Sequence, residues 1–579
     1  VTARGGAGSG RLAASLPGLA VVRGYQRAWL AKDVVAGLVL SALLVPQGMA
    51  YAELAGLPAI TGLYTSILCL VGYAVFGPSR VLVLGPDSSL GPMIAATIAP
   101  LLLADGDPAR AVALASMLAV MVGVLMTVAG LAKFGFVADL LSKPTQIGYL
   151  NGLALTILVG QLPKLSGFSV DADGLIEEAK AFVSGVANGD VNGTAAAIGL
   201  VSLVGILLLQ RLLPRVPAVL VAVVLSSLAV KLWDLGANGV NTIGVLPSGF
   251  PPFTIPTAAW GEVPMLVVGA LGISLVALAD TMSTASSFAA RRGERVHGNQ
   301  EMVGIGAANI AAGFFQGFPV STSGSRTAVA EQNGSKSQLT GVVGAVAIAL
   351  ILVLAPWLMQ YVPQPTLGAV VIAAALSLAD LAATRRLWHQ RRMEFGLSMA
   401  AFLGVALLGV LPGILIAVAL SILNVFRRLW WPYQTSLGRV AEIPGLHDTT
   451  QYPDAKLLPG LVVFRFDAPL IFANARIFNE QVRALVADHP DLRWVLVAAE
   501  PITDVDTTAA DMLELLDDWL NERGVSLVFA ELKDPVRAKV EAYELTRTIN
   551  PDHFFPTLDA AIDAFRASTG ATWQSPTEP

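Results

Sequence analysis

Residues Phe318–Gly341 read "FPVSTSGSRTAVAEQNGSKSQLTG", a run rich in hydroxyls that carries an arginine and an acid. Greasy sequence flanks it on both sides: "GIGAANIAAGFFQG" (304–317) before it and "VVGAVAIALILVLAPWLM" (342–359) after it. Hydrocarbon tolerates irregular, polar backbone only where protein buries it or water reaches it. A helix that starts at such depth presents free N–H groups and the positive end of its dipole, which suits an anion. In "STSGSR", Ser321, Thr322, Ser323 and Ser325 offer hydroxyls, Gly324 allows close approach, and Arg326 supplies a fixed positive charge. The bland alternative is a surface loop with serine caps.

The rest of the chain supports the membrane reading. Its 579 residues are 54% hydrophobic and 14% charged, with mean hydropathy +0.66; soluble domains carry about 25% charged residues. Apolar segments near the ~20 residues needed to cross a bilayer recur between Asp33 and Arg427, and about fourteen crossings are expected. The arginines in residues 1–30 interrupt any apolar run, so no signal peptide is expected there. Basic residues such as Arg80, Lys133, Arg211, Arg291, Arg292, Arg385, Arg386, Arg427 and Arg428 follow even-numbered spans. That bias predicts an inner (plasma) membrane protein with both termini cytoplasmic. The single cysteine, Cys69, excludes an internal disulfide, and the five histidines stand at no metal-ligand spacing.

A second polar break, "GPDSSLGP" (85–92), matches the first: Gly85 and Ser321 lie 236 residues apart, close to the offset between two half-chains. Paired interruptions in corresponding positions point to a transporter binding site between inverted repeats, here of seven spans each. Ser88 and Ser89 would lie in the first helical turn, beside Pro86. Asp87 reads either as a helix cap or as an acid whose protonation removes its repulsion of an anion. Asp280 lies well inside the eighth span with Thr284 one turn on. It is a candidate proton or cation carrier, unless it is a structural partner of a buried cation such as Arg326. Gln47, after Pro46 in the first span, and Tyr51 could bind substrate or bridge helices, whereas Glu53 reads as interfacial.

The domains expected are an N-terminal cytoplasmic segment (1–32), an all-α membrane domain (33–431), a linker (432–460) and a soluble α/β domain (461–570). In the last, "LVVFRF", "RWVLVAA" and "VSLVFAEL" read as buried strands alternating with helices, which implies a largely parallel sheet. Asp506 and Thr507 make a good N-cap, or a phosphorylation site at a helix start. No P-loop signature is present.

Together, "VPQGMAYAELAGLPAITGLYTS", "GPSRVLVLGPDSS", "FAARRGERVHGNQEMVGIGAANIAAGFFQGFPVSTSGSRTAVAEQNGSKSQLTG" and "VVFRFDAPLIFANA" resemble the sulfate permease family of inorganic anion transporters, also solute carrier family twenty-six. The resemblance implies seven-plus-seven inverted repeats, a core moving against a gate, a cytoplasmic STAS domain and a homodimer. It implies that Ser325, Arg326 and the backbone around Ser323 and Gly324 line the anion site. Gln47, Tyr51 and the stretch Pro86, Asp87, Ser88 and Ser89 would face it. In sodium-coupled bicarbonate members an acid like Asp280 and a hydroxyl like Thr284 help bind the cation. A threonine expected at the next element is Gly324 here, and some relatives carry an acid where this chain has Gln47. Proton coupling would then rest on Asp87 or Asp280. Thr507 stands at the STAS domain's phosphorylatable position.

The expectation is therefore a secondary active carrier of small inorganic anions, best fitted by sulfate. It needs no cofactor beyond a coupling proton or sodium and no nucleic-acid partner. Sodium-coupled bicarbonate or proton-coupled dicarboxylate transport is the alternative, and a passive channel or a STAS-linked receptor stands behind both. Neither a nucleophile–base pair nor a metal cluster suggests an enzyme.

Overall fold

The computed structural model describes Gly18 and residues 24–574, except 103–106, 137–140, 171, 173, 214, 215 and 442. Most of the expected N-terminal segment 1–32 thus lies outside the described residues. Two compact units follow, dividing after Ser421.

In the first half of the membrane unit the helices run α1 (Leu30–Leu54), α2 (Ala59–Phe76), α3 (Gly91–Ile98), α4 (Pro108–Leu131), α5 (Lys143–Leu165), α6 (Leu175–Asn188), α7 (Gly193–Leu212) and α8 (Ala218–Leu232). The second half comprises α9 (Val263–Arg292), α10 (Gly298–Gly313), α11 (Gly324–Gln332), α12 (Leu339–Leu354), α13 (Gln364–Leu378), α14 (Leu381–Gln390), α15 (Arg392–Leu408) and α16 (Val410–Trp430). Setting aside the amphipathic α6 and α14, each half supplies seven segments, as the spacing of the polar breaks predicts. Among the described residues seven helices are long and apolar enough to span a bilayer by themselves, and three shorter apolar helices accompany them. Two segments fall short for a physical reason: α3 and α11 are half-helices that begin inside the bundle.

Packing sorts the helices into two groups. Helices α1–α4 and α9–α12 pack mainly on one another, and α5, α7, α8, α13 and α15 form the other set, with α8 and α13 lying against α1. Small residues set the closest approaches. A Cβ on Gly62 would run into the Gly48 carbonyl, so α1 and α2 meet backbone to backbone beside Gln47. Pro46 sits inside α1 without ending it.

The second unit carries a six-stranded sheet of order β4-β3-β5-β6-β7-β8: β3 (Gln434–Arg439), β4 (Leu446–Asp448), β5 (Leu461–Phe466), β6 (Trp494–Ala498), β7 (Ser526–Ala530) and β8 (Phe554–Phe555). Strands β5 to β8 are parallel. Side chains alternate across the sheet. Phe464, Phe466, Val495 and Val497 join one core, and Val463, Leu496 and Val528 pack with Phe565 in another. Burial on both faces explains why these strands read as continuous apolar runs. The expected linker 432–460 is a correction: it contributes β3 and β4, both antiparallel members of the sheet. "QTSLGR" is an edge-side strand with polar positions, so its sequence lacks the apolar run that marked the others.

Candidate functional site

The two polar breaks meet. Strand β1 (Leu84–Gly85) pairs antiparallel with β2 (Ser321–Thr322), with Leu84 opposite Thr322 and Gly85 opposite Ser321. The residues found by their offset in sequence are therefore hydrogen-bonded neighbours. Ser323 N–H extends the ladder to Val83 O at 3.1 Å. Beyond the crossing, α3 and α11 depart as short helices, each with a serine-bearing turn at its N-terminus. Antiparallel pairing of equivalent segments is what a two-fold axis in the membrane plane requires.

Each break is held from its own sequence. Ser323 is the N-cap of α11, its hydroxyl accepting from Arg326 N–H at 3.5 Å. It also shares a 3.1 Å hydrogen bond with Ser325. Asp87 plays the corresponding part before α3: its Oδ1 accepts from Ser89 N–H at 3.0 Å and from Ser89 Oγ at 2.8 Å. The capping reading of Asp87 is thus present in the geometry. Thr322 donates to Thr281 of α9 at 2.5 Å, and Thr327 accepts from Val83 N–H at 3.1 Å, so the crossing is tied to the long helix that carries Asp280.

Arg326 is 1% exposed. Its guanidinium passes across β1, donating to Pro86 O at 2.6 Å and to Asp87 Oδ2 at 3.5 Å, while its Nε has no partner. It braces the opposite break rather than standing free in the gap. Glycine at position 85 leaves room for this, since a Cβ there would lie 2.8 Å from Arg326 Nη1. The structural alternative in which Arg326 pairs with Asp280 is not what the chain adopts; its partner is Asp87.

Asp280 is half-buried and meets the other break through Ser89, whose Oγ lies 3.2 Å from Asp280 Oδ2. Gly324 and Ser325 are exposed at the start of α11, on the side where Thr284 comes closest: a Cβ on Gly324 would sit 3.8 Å from Thr284 Oγ1. Tyr51 is buried against Ser88 and Gln47 is partly exposed one turn earlier on α1. The structure thus brings Tyr51, Pro86 to Ser89, Asp280 and Ser323 to Arg326 together where the two half-helices begin, with Thr284 beside Gly324. Thr507 lies elsewhere, exposed as the first residue of α17 (Thr507–Asn521). That helix is capped by Asp506, which accepts from Ala509 N–H at 2.8 Å and Phe472 N–H at 2.7 Å.

Sequence reasoning missed the residue that anchors this frame. Asp33 is 0% exposed. It accepts from Lys336 N–H (2.7 Å), Ser337 N–H (3.2 Å), Ser337 Oγ (2.7 Å), Thr340 Oγ1 (3.1 Å) and Tyr25 OH (3.1 Å). The acid opening α1 thereby caps the turn into α12. Its position beside Lys32 at the head of an apolar run looks interfacial, and the only hint was the serine-rich "GSKSQLTG" at its far end. Glu53, read as interfacial, forms an ion pair with Lys164, linking α1 to α5.

Comparison with known proteins identifies the family. The sulfate permease family matches residues 30–401 and the STAS domain residues 452–561. A probable sulfate transporter of Mycobacterium tuberculosis is 41% identical over 551 residues, covering 95% of this chain and 98% of the relative. The high affinity sulfate transporter 2 of Stylosanthes hamata is 28% identical over 561 residues, covering 93% and 84%. Among solved structures, the murine solute carrier 26 family member A9 anion transporter, in an inward-facing state, superposes with TM-score 0.89 at 22% identity, covering 98% and 96%. The transmembrane domain of a cyanobacterial bicarbonate transporter superposes with TM-score 0.60 at 20% identity, covering 69% of this chain and 98% of that one. The chain belongs to the sulfate permease family, a family of multi-pass membrane transporters rather than enzymes, and ends in a STAS domain.

Proposed function

We propose that this chain carries sulfate across the plasma membrane by alternating access, binding it between the N-termini of α3 and α11, and that a proton on Asp280 accompanies it. The names of its sulfate-transporting relatives support the cargo. The anion would take the exposed Ser325 hydroxyl and the free N–H groups at Gly324 and Ser325, with Ser88, Tyr51 and Gln47 facing it from the other side. Arg326 acts through Asp87: it neutralises that carboxylate, which can then hold the α3 turn without repelling an anion.

The observation that carries the coupling is Ser89. A hydroxyl has one proton to donate, yet Ser89 Oγ lies 2.8 Å from Asp87 Oδ1 and 3.2 Å from Asp280 Oδ2. With both acids ionised, one of these contacts sets oxygen lone pairs against each other. With Asp280 protonated, it donates to Ser89, and Ser89 donates to Asp87. Charge points the same way: Arg326, Asp87 and an ionised Asp280 sum to a net negative site, and protonation makes it neutral. Sulfate and the proton therefore favour each other's binding. Sodium is less well served, because Gly324 contributes no side-chain oxygen beside Asp280 and Thr284. In this reading both termini are cytoplasmic, and the STAS domain regulates transport or mediates homodimer contacts.

The test is radiolabelled sulfate uptake into proteoliposomes under imposed proton or sodium gradients. Uptake driven by an inward proton gradient, and abolished by Ser325→Ala with Gln47→Ala, is expected. Sulfate that stays outside under every gradient, with bicarbonate entering under a sodium gradient, would overturn both cargo and coupling.

A further inference from the structure

Helix α14 connects α13 to α15 and is bound to α5 at two levels. Asn151 of α5 donates to Thr384 Oγ1 at 2.9 Å and accepts from Asp380 N–H at 2.8 Å, while Ala383 and Leu387 pack on Ile147 one turn nearer the Lys143 end. The helix thus runs obliquely outward from the bundle toward the membrane surface at which α5 begins. Its other side is exposed, apart from an edge contact of Trp388 with Phe395 at 4.9 Å between ring centroids. Leu381 (73% exposed), Arg385 and Trp388 (49%) form one stripe at helical spacing on α14, and Arg392, the first residue of α15, lies over the Trp388 ring at 5.5 Å. Arg385, Arg386 and Arg392 are exposed, and none is paired with a carboxylate among the described residues.

An apolar groove of about 270 Å³ opens where this stripe begins. Leu155, Leu376, Ala379, Leu381 and Phe402 line it, and its one polar neighbour, Asn151, has both amide atoms engaged by α14. At 1.5 Å per residue, Phe402 lies about 15 Å along α15 from Arg392, which matches half of the ~30 Å hydrocarbon thickness. The groove therefore lies about one leaflet's depth from Arg392, and the arginines and tryptophan stand toward the headgroup side of it, where aromatic rings and basic side chains settle.

We propose that groove and stripe together form a binding site for one anionic phospholipid. An acyl chain occupies the groove, and the headgroup phosphate rests on Arg385 and Arg392 beside Trp388. The lipid would seat α14 against α5 and α13, of which α13 packs on α1 and so joins the two helix groups. A neutral phospholipid fills the same groove but leaves the arginines without an added negative charge.

The full-length chain in detergent, titrated with dioleoyl phosphatidylglycerol or dioleoyl phosphatidylcholine and examined by native mass spectrometry, tests this. One phosphatidylglycerol should remain bound per chain, favoured over phosphatidylcholine by about thirtyfold, as expected for two basic side chains meeting one anionic headgroup. Arg385→Gln with Arg392→Gln should reduce that preference to near unity, whereas the paired Arg→Lys changes should retain most of it. Ala379→Trp, filling the groove mouth, should lower occupancy by both lipids. Equal retention of the two lipids by the wild type, or a preference untouched by the glutamine pair, overturns the site. So does a dimer that excludes both lipids, since a second copy would then cover this face.

Discussion

Replacing Asp87 by asparagine tests how the two half-helices hold each other. Asparagine keeps an oxygen for the Ser89 N–H, so the turn before α3 survives, but Arg326 loses its counter-charge. The pair is 3.5 Å apart, with side chains 2% and 15% exposed. At an effective dielectric of ~20 the attraction is about 5 kcal/mol, part of which offsets the cost of removing the charges from water. Asp87→Asn should therefore lower stability by about 3 kcal/mol, in the range of pairs broken by removing one partner. Arg326→Gln alone should cost a similar amount. The double variant leaves no buried uncompensated charge and should recover most of the loss, giving a coupling energy of about 2–3 kcal/mol in the double-mutant cycle. Folded fraction against SDS concentration in mixed micelles, with fluorescence-detected size exclusion on heating, provides the readout. Strictly additive losses would refute the reasoning, because the arginine's place would then be fixed by Pro86 O and packing alone.

Three other outcomes follow from particular contacts. Gly85→Ala should displace Arg326 and abolish sulfate uptake while leaving the chain folded by size exclusion, since the added Cβ meets Nη1 at 2.8 Å; undiminished uptake would deny the crossing its role. Asp33→Ala strands two backbone donors, the part-buried Lys336 N–H and the buried Ser337 N–H. At 1–3 kcal/mol each this should cost about 3 kcal/mol or more, read as a fall in apparent Tm; an unchanged Tm would show that water satisfies them. In the STAS domain, the Lys539 ammonium beside Asp504 holds that carboxyl below the usual range. A depressed acid stabilises the fold above its unfolded value of about 4 and loses that contribution as pH falls through its lower folded value. Asp504→Asn should accordingly flatten the acid side of the domain's stability profile. The effect should be small, because both side chains are nearly half exposed.

The sequence was most informative where chemistry and depth conflict. Polar residues at Gly85 and Ser321, inside greasy flanks and one half-chain apart, located β1 and β2, and these prove to be register partners. The buried strands of the STAS sheet were equally legible, since parallel strands covered on both faces need unbroken apolar runs. Partner choice was less so. Arg326 could have joined either intramembrane acid, and the folded chain pairs it with Asp87, passing beside Gly85. Asp33 looked like any acid at a helix start, because its five donors come from residues about 300 positions away and from Tyr25. Strands β3 and β4 escaped notice because they sit toward the sheet's edge, where solvent permits polar positions.

The claim on which the mechanism rests is that sulfate binding is coupled to protonation of Asp280. The direct measurement is proton exchange on adding sulfate to the purified chain in weakly buffered detergent, for the wild type and Asp280→Asn. Sulfate should draw a proton from solution and raise the pH in the wild type, with affinity increasing as the pH is lowered. In Asp280→Asn, sulfate should still bind, with no proton uptake and no pH dependence. Sulfate binding to the wild type without proton uptake at any pH, or uptake that persists in Asp280→Asn, would contradict the account.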